Sequence, residues 1–132
     1  MTADTARRSL AFLRLSFLAV WLAPRLTAKI FGLSPDERPG MTMLSRLIAT
    51  REATLGAILL RSEGADADRQ IDVVAAASTA DLVGIGLLWR SGDIGARTAG
   101  LGLTTIIAQL TLAVTYRASR DNQDGVLTPC FP

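Results

Sequence analysis

The chain has 132 residues and a mass of 14.0 kDa, which suits one domain and is too short for two independent cores. Apolar residues make up 49%, charged residues 20%, and the mean hydropathy is +0.33, so the chain is more apolar than most soluble domains. The chain has no histidine and a single cysteine, Cys130, which excludes histidine bases, histidine-bound metals or haem, an internal disulfide and multi-cysteine clusters. We therefore expect no metal and no cofactor.

The first apolar segment, residues 10–33, predicts a membrane span that is interrupted. Pro24 is expected to kink or end the helix, because proline lacks the backbone N–H and clashes with the preceding turn. Beyond it, Arg25 and Lys29 share one helical face opposite an apolar face, as in a helix lying in the membrane interface. The pair Arg7-Arg8 also fits the start of a signal peptide, but no small-residue cleavage site follows, so an uncleaved helix is favoured.

Three further spans are predicted at residues 43–61, 72–90 and 96–117. The last is the clearest, because Thr98 to Tyr116 is a run of 19 residues without a charge, close to the roughly 20 needed to cross a bilayer. We therefore predict an all-α fold, an antiparallel four-helix transmembrane bundle formed by one domain over residues 1–117. The polar tail, residues 118–132, is expected to be disordered.

Charged residues within the second and third spans are the most informative feature. Arg51 lies ten residues before Arg61, and Asp81 lies nine residues after Asp72, so both reach about 15 Å below the same surface. A charge at mid-membrane is costly, and such groups normally face inward and pair. We therefore predict an ion pair between Arg51 and Asp81. The neighbouring Glu52 is a surplus acid that either accepts from Arg51, meets Arg14 or Arg25, or stays protonated.

Polar and small residues follow helical spacing in the last two spans. A polar stripe with Gln109 near mid-depth is expected to hydrogen-bond across helices; it comprises Thr98, Gly102, Thr105, Gln109 and Tyr116. Two small-residue stripes predict close helix packing, within the bundle or between copies; they are Ala76-Ala80-Gly84 and Ala96-Gly100-Thr104-Ala108. The predicted polar centre is therefore Arg51, Glu52, Asp81 and Gln109.

Several short motifs resemble those of DoxX-like proteins and neighbouring families of small four-helix bacterial membrane proteins of unknown function. They are Pro24, the sequence Phe31-Gly32-Leu33, the sequence Arg51-Glu52-Ala53-x-Leu55-Gly56, and the aspartate Asp81 in the third span. The resemblance covers roughly residues 10–117 and implies an antiparallel four-helix membrane bundle. Named DoxX relatives are associated with quinone-linked thiosulfate oxidation, but this chain has neither the histidine nor the cysteine pair for redox chemistry.

The leading functional hypothesis is a small integral protein of the bacterial inner membrane, an accessory or scaffold subunit or a binder of a lipid-like ligand. The alternative is a membrane enzyme, of isomerase or cyclase type, in which Glu52 or Asp81 is the general acid and Arg51 stabilises developing negative charge. A transporter would require an oligomer, and a soluble helical bundle is a further alternative. Membrane lipids, a hydrophobic small molecule, further copies of the chain or another membrane protein are the expected partners, and nucleic acid is not.

Overall fold

The protein is entirely helical over the residues that its computed structural model describes, which are 1–31 and 38–126, with side chains over 1–31, 42–43 and 45–123. In chain order the helices are α1 (Ala3–Leu15), α2 (Leu18–Leu22), α3 (Pro24–Phe31), α4 (Arg38–Arg61), α5 (Gly64–Ser91) and α6 (Ala96–Val126). The predicted all-α class is therefore confirmed. The predicted exit sequence Phe31-Gly32-Leu33 and the cysteine at 130 lie wholly or partly outside the described residues.

The first predicted span, 10–33, is broken into three helices rather than forming one. Helicity begins earlier, at Ala3, and the chain bends by 103° between the segment Ala3–Leu22 and α3. The bend falls at Pro24, as predicted, because proline cannot donate the hydrogen bond that would continue α2. The exposed cations Arg25 and Lys29 lie on α3, beyond the bend.

The loop between α5 and α6 is short and has a specific geometry. Gly92 adopts a left-handed conformation, with φ of 83°, which a residue with a side chain rarely adopts. The N–H of Gly92 bonds to the carbonyl of Trp89 and that of Asp93 to the carbonyl of Leu88, so the last turn of α5 is capped. The chain can therefore reverse direction within a few residues.

Side-chain contacts show how the long helices run relative to one another. Arg7 contacts the end of α4 and Arg14 its middle, so α1 and α4 run in opposite directions. By the same reasoning, the contacts of Ser78 with Gln109 and of Asp68 with Tyr116 make α5 and α6 antiparallel. The α1 helix also packs against α6. The apolar core lies between these helices and comprises Leu10, Ala11, Leu59, Ile71, Val74 and Ala113 among its most buried members.

Within the described residues, two helices, α5 and α6, are long and apolar enough to cross a membrane, and the bent N-terminal pair becomes a third candidate if it is counted as one span. Only 17% and 22% of the apolar windows of α5 and α6 are buried within the chain. Apolar side chains such as Leu87 and Val114 are consequently exposed, at 62% and 67%. A single chain with this surface needs an apolar surrounding, a partner, or both.

Two features of the last two helices differ from the sequence-based expectation. The α6 helix continues past Arg117 to Val126, because Arg117 and Arg120 form ion pairs with acids on α5 and hold the last turns against it. Of the two alternatives for the small-residue stripes, packing within the chain is not seen: a Cβ added at Gly84 or Gly100 would meet no atom within 4 Å, and the other stripe residues are exposed. The close helix contacts lie elsewhere, at Gly56 and Gly102.

Candidate functional site

Arg14, on α1, is the largest fully buried side chain among the described residues. Its exposed fraction is 0%, because Arg14 lies on the same face as Ala3, Arg7 and Leu10, the face that α1 turns toward the other helices. A guanidinium in such a place must find hydrogen-bond acceptors to offset the loss of its hydration. It finds them on three different helices.

The guanidinium of Arg14 donates to one side chain from each of α4, α5 and α6. Its Nη1 lies 2.9 Å from Glu52 Oε2, and its Nη2 lies 2.8 Å from Ser78 Oγ and 2.9 Å from Gln109 Oε1. The carbonyl of Val74 accepts a longer bond of 3.4 Å. We refer to Arg14, Glu52, Ser78 and Gln109 as the Arg14 network.

The acceptors of the Arg14 network also contact one another. Ser78 Oγ donates to Gln109 Oε1 at 2.9 Å, and Gln109 Nε2 donates to Glu52 Oε2 at 3.2 Å. Ser78 is 0% exposed, and Glu52 and Gln109 are each 3% exposed. Among the described residues, the one buried group of Arg14 left without a hydrogen-bond partner is Nε. The network is therefore nearly closed on itself.

Close approach of α1 and α4 brings Arg14 and Glu52 together. Gly56 lies one turn after Glu52, and a Cβ at this position would be 2.9 Å from the carbonyl oxygen of Ala11 and 3.0 Å from Arg14 Cβ. Such distances are shorter than normal van der Waals contact, so only glycine fits without a shift of the helices. The glycine therefore sets the separation at which the ion pair forms.

The pair predicted from depth, Arg51 and Asp81, forms a bidentate ion pair at the edge of the network. Arg51 Nη2 pairs with Asp81 Oδ2, and Nη1 donates to Asp81 Oδ1 at 3.3 Å. The same Nη2 donates to Glu52 Oε1 at 3.0 Å. The two side chains are 44% and 34% exposed, so they lie at the outer surface between α4 and α5 and not in the bundle interior, where we expected them.

All four residues of the predicted polar centre therefore belong to one hydrogen-bonded chain, which runs from Gln109 through Glu52 and Arg51 to Asp81. The sequence analysis predicts Arg14 only as one of several partners for Glu52, and it does not predict Ser78. The signal for Arg14 is its spacing, because it follows Leu10 by four residues on the buried face of α1. Ser78 has the same kind of signal, because it follows Val74 by four residues on the buried face of α5.

The arrangement provides opposite charges in equal number, two guanidinium groups and two carboxylates. Both oxygens of Glu52 accept bonds from cationic donors, Oε1 from Arg51 and Oε2 from Arg14. A carboxylate in that environment is suited to holding two arginines in place. Within the described part of the chain, no cluster of three histidine, cysteine or acidic side chains could bind a metal ion.

A second buried arginine, Arg7, lies at the opposite end of α1 and serves a different purpose. Its Nη1 donates to the carbonyls of Leu59, Leu60 and Ser62, at 2.9, 3.1 and 2.5 Å, where α4 ends. The last carbonyls of a helix have no partner within it and carry partial negative charge. Arg7 therefore caps α4 and attaches its end to α1.

A groove opens where α2 meets the first half of α4. Its volume is about 490 Å³, and its lining comprises Trp21, Thr42, Met43, Arg46, Leu47 and Thr50. The guanidinium carbon of Arg46 lies 5.5 Å from the centre of the Trp21 ring, which is a cation–π contact. We call it the Trp21 groove. It is separate from the Arg14 network, none of whose four residues lines it.

Comparison with known proteins gave no match to this chain among protein families, curated proteins or solved structures.

Proposed function

We propose that the chain is a non-catalytic integral protein of the bacterial inner membrane, in which α1, α4, α5 and α6 form an antiparallel four-helix bundle that acts as a scaffold or accessory subunit. The observation that supports it best is the Arg14 network. One fully buried guanidinium bonds to a side chain from each of the other three long helices, which fixes their register.

The two charges in the middle of α4, Arg51 and Glu52, are compatible with a membrane position once their contacts are considered. By composition alone α4 is not among the candidate spans, and it contains Arg46, Arg51 and Glu52. Glu52 is buried between two arginines, and Arg51 is neutralised by Asp81 and Glu52. Paired charges of this kind are the ones that membrane helices tolerate. The resulting four-helix architecture is also the one that the DoxX-like resemblance implies.

The geometry favours a structural role for Glu52 over the general-acid role of the alternative hypothesis. A general acid must hold a proton and direct it at a substrate, which requires an open cavity beside it. The Trp21 groove and a second cleft, beside Arg7 and Tyr116, are lined by other residues and not by Glu52 or Asp81. The large apolar surface of α5 and α6 instead fits assembly with lipids or with other membrane proteins.

The substitution Glu52→Gln tests this proposal. Glutamine retains the shape and one acceptor oxygen, so we expect the variant to stay in carbonate-washed membranes and to restore the phenotype of a strain that lacks the wild-type chain. An amide cannot act as a general acid, and loss of such a group typically lowers a rate by about 10² to 10⁴-fold. Asp81→Asn is the matched control for the second candidate acid.

Two results would contradict the proposal. If Glu52→Gln is retained in membranes at wild-type levels but fails to restore the phenotype, Glu52 acts chemically and the enzyme hypothesis replaces the scaffold. If alkaline carbonate releases the wild-type protein, the chain is peripheral or soluble and the membrane bundle is wrong.

A further inference from the structure

The Trp21 groove has one polar side and one apolar side, and both follow from the spacing of residues on α4. Thr42, Arg46 and Thr50 are separated by four residues each and form one stripe, while Met43 and Leu47 form the adjacent stripe. Trp21, from α2, provides the opposite wall. A groove of this kind is complementary to an amphiphile, with a polar group along one stripe and a hydrocarbon chain along the other.

The apolar side of the groove is exposed to the surroundings. Met43 is 68% exposed, Leu47 58% and Trp21 42%. These are large apolar side chains, and their clustering in one groove is unfavourable in water. Hydrocarbon that lies along Met43 and Leu47 would remove that surface from contact with water.

The positive charge of Arg46 makes the groove suited to an anionic ligand. Within the described residues, Arg46 forms a contact with the Trp21 ring and no ion pair with a carboxylate. Its guanidinium donors therefore remain available to an acceptor of external origin. The next helix, α3, adds Arg25 and Lys29, both exposed, and no acid.

The depth of the groove fits a lipid headgroup. Arg46 precedes Arg61 by 15 residues, which places it about 22 Å along α4 from that end. In a hydrocarbon core of about 30 Å, Arg46 therefore lies close to the opposite boundary, where a long cationic side chain can reach phosphate. Tryptophan is enriched at the same level in membrane proteins.

We propose that the Trp21 groove is a binding site for an anionic phospholipid, whose phosphate accepts hydrogen bonds from Arg46 and whose acyl chain lies along Met43 and Leu47. This inference rests on the proposed membrane location and adds a lipid class to it. The bend at Pro24 turns α3, which carries Arg25 and Lys29, away from the axis of α2.

Brominated lipids, which quench tryptophan fluorescence on contact, test the proposal. The chain has two tryptophans, so the variant Trp89→Phe leaves Trp21 as the sole reporter, and Trp21→Phe leaves Trp89 as a matched control. Each variant is reconstituted in vesicles of one fixed mixture of phosphatidylglycerol and phosphatidylcholine, in which either the first or the second lipid is brominated.

We expect brominated phosphatidylglycerol to quench Trp21 more strongly than brominated phosphatidylcholine. The difference should correspond to an apparent affinity about five-fold higher for phosphatidylglycerol, because one cation near an anionic lipid contributes about 1 kcal/mol. The preference should disappear in Arg46→Gln, persist in part in Arg46→Lys, and persist fully in the surface control Arg90→Gln. Trp89 should show no comparable preference.

Equal quenching of Trp21 by the two lipids would overturn the lipid site while leaving the membrane bundle intact. The same conclusion follows if Arg46→Gln retains the preference, or if inorganic phosphate abolishes it, which would indicate a site for a free anion. Absence of quenching of both tryptophans by both lipids would instead show that the chain does not enter the bilayer, and the proposed function would fail together with the site.

Discussion

At the scale of single residues, Arg14 forms more hydrogen bonds to residues distant in the sequence than any other side chain of the described residues. It is fully buried, and it forms one ion pair and two further short hydrogen bonds to side chains of three helices. Removal of one partner of a buried pair is more harmful than removal of both, because it leaves an uncompensated charge in a medium of low dielectric constant. The exposed pair of Arg8 and Asp4 lacks this property.

The variant Arg14→Met should lower the free energy of unfolding by about 3 kcal/mol or more, since Glu52 loses a cationic partner while it remains buried. The double variant Arg14→Met/Glu52→Gln should lose less than the sum of the two single variants. Reversible unfolding by sodium dodecyl sulfate in mixed micelles, followed by circular dichroism, measures all three values.

Arg8→Met is the control for this cycle, because the Arg8 side chain is 61% exposed and its ion pair with Asp4 is expected to contribute less than about 1 kcal/mol. Additive losses in the Arg14 cycle would mean that Arg14 and Glu52 do not meet in the folded protein.

At the scale of helices, packing is specified by a few positions and not by the small-residue stripes that the sequence displays. The α1 and α4 helices touch at Gly56, and Arg7 attaches the end of α4 to α1. Gly84 and Gly100 face open space within the single chain. Small residues in a membrane helix therefore indicate that close packing is allowed, and only the neighbouring helix decides where it occurs.

Gly56→Ala should destabilise the fold by about 1 to 3 kcal/mol, because the new methyl group would lie 2.9 Å from a backbone oxygen of α1, which cannot move without displacing the helix. Gly100→Ala is the matched control: no atom lies within 4 Å of its Cβ position, and alanine is the better helix former. The same unfolding assay compares the two variants. Equal effects at the two positions would contradict the close approach of α1 and α4.

At the scale of the whole molecule, the two ends of the helices differ in how their charges are balanced. The end that contains Arg7 and Arg120 also contains acids, and its ion pairs join α1 to itself and α6 to α5. At the end that contains Trp21, Arg46 lies over the Trp21 ring and, among the described residues, forms no ion pair with a carboxylate. The first end is therefore held by ion pairs, whereas Arg46 at the second end has its cation–π contact with Trp21.

Single-cysteine labelling in a Cys130→Ala background tests the arrangement of the bundle in the membrane. In a four-span bundle, α1 and α5 cross the membrane in one direction and α4 and α6 in the other. Thr2→Cys and Glu63→Cys should therefore be labelled from one side of the membrane, and Lys29→Cys and Asp93→Cys from the other. A membrane-impermeant maleimide applied to intact and to lysed spheroplasts distinguishes the sides. Lys29 and Glu63 on the same side would show that α4 does not cross, and only α5 and α6 would remain as spans.

The sequence by itself determined the helical class, the bend at Pro24 and the two long apolar helices, because each depends on local properties: hydropathy, length and the missing N–H of proline. It also indicated a common depth for Arg51 and Asp81, since helical rise is constant along the chain. Depth, however, does not define direction around the helix axis, and the pair lies at the surface instead of the interior.

Tertiary structure alone decided which polar groups are enclosed. Arg14 reaches side chains of three other helices because α1 packs against both α4 and α6, and nothing within α1 specifies those neighbours. The same holds for the polar residues beyond Arg117, where α6 continues to Val126 and Arg120 forms an ion pair with Asp68 of α5. Local sequence fixes where a side chain points on its own helix, whereas burial and pairing depend on the neighbouring helix, which only long-range packing selects.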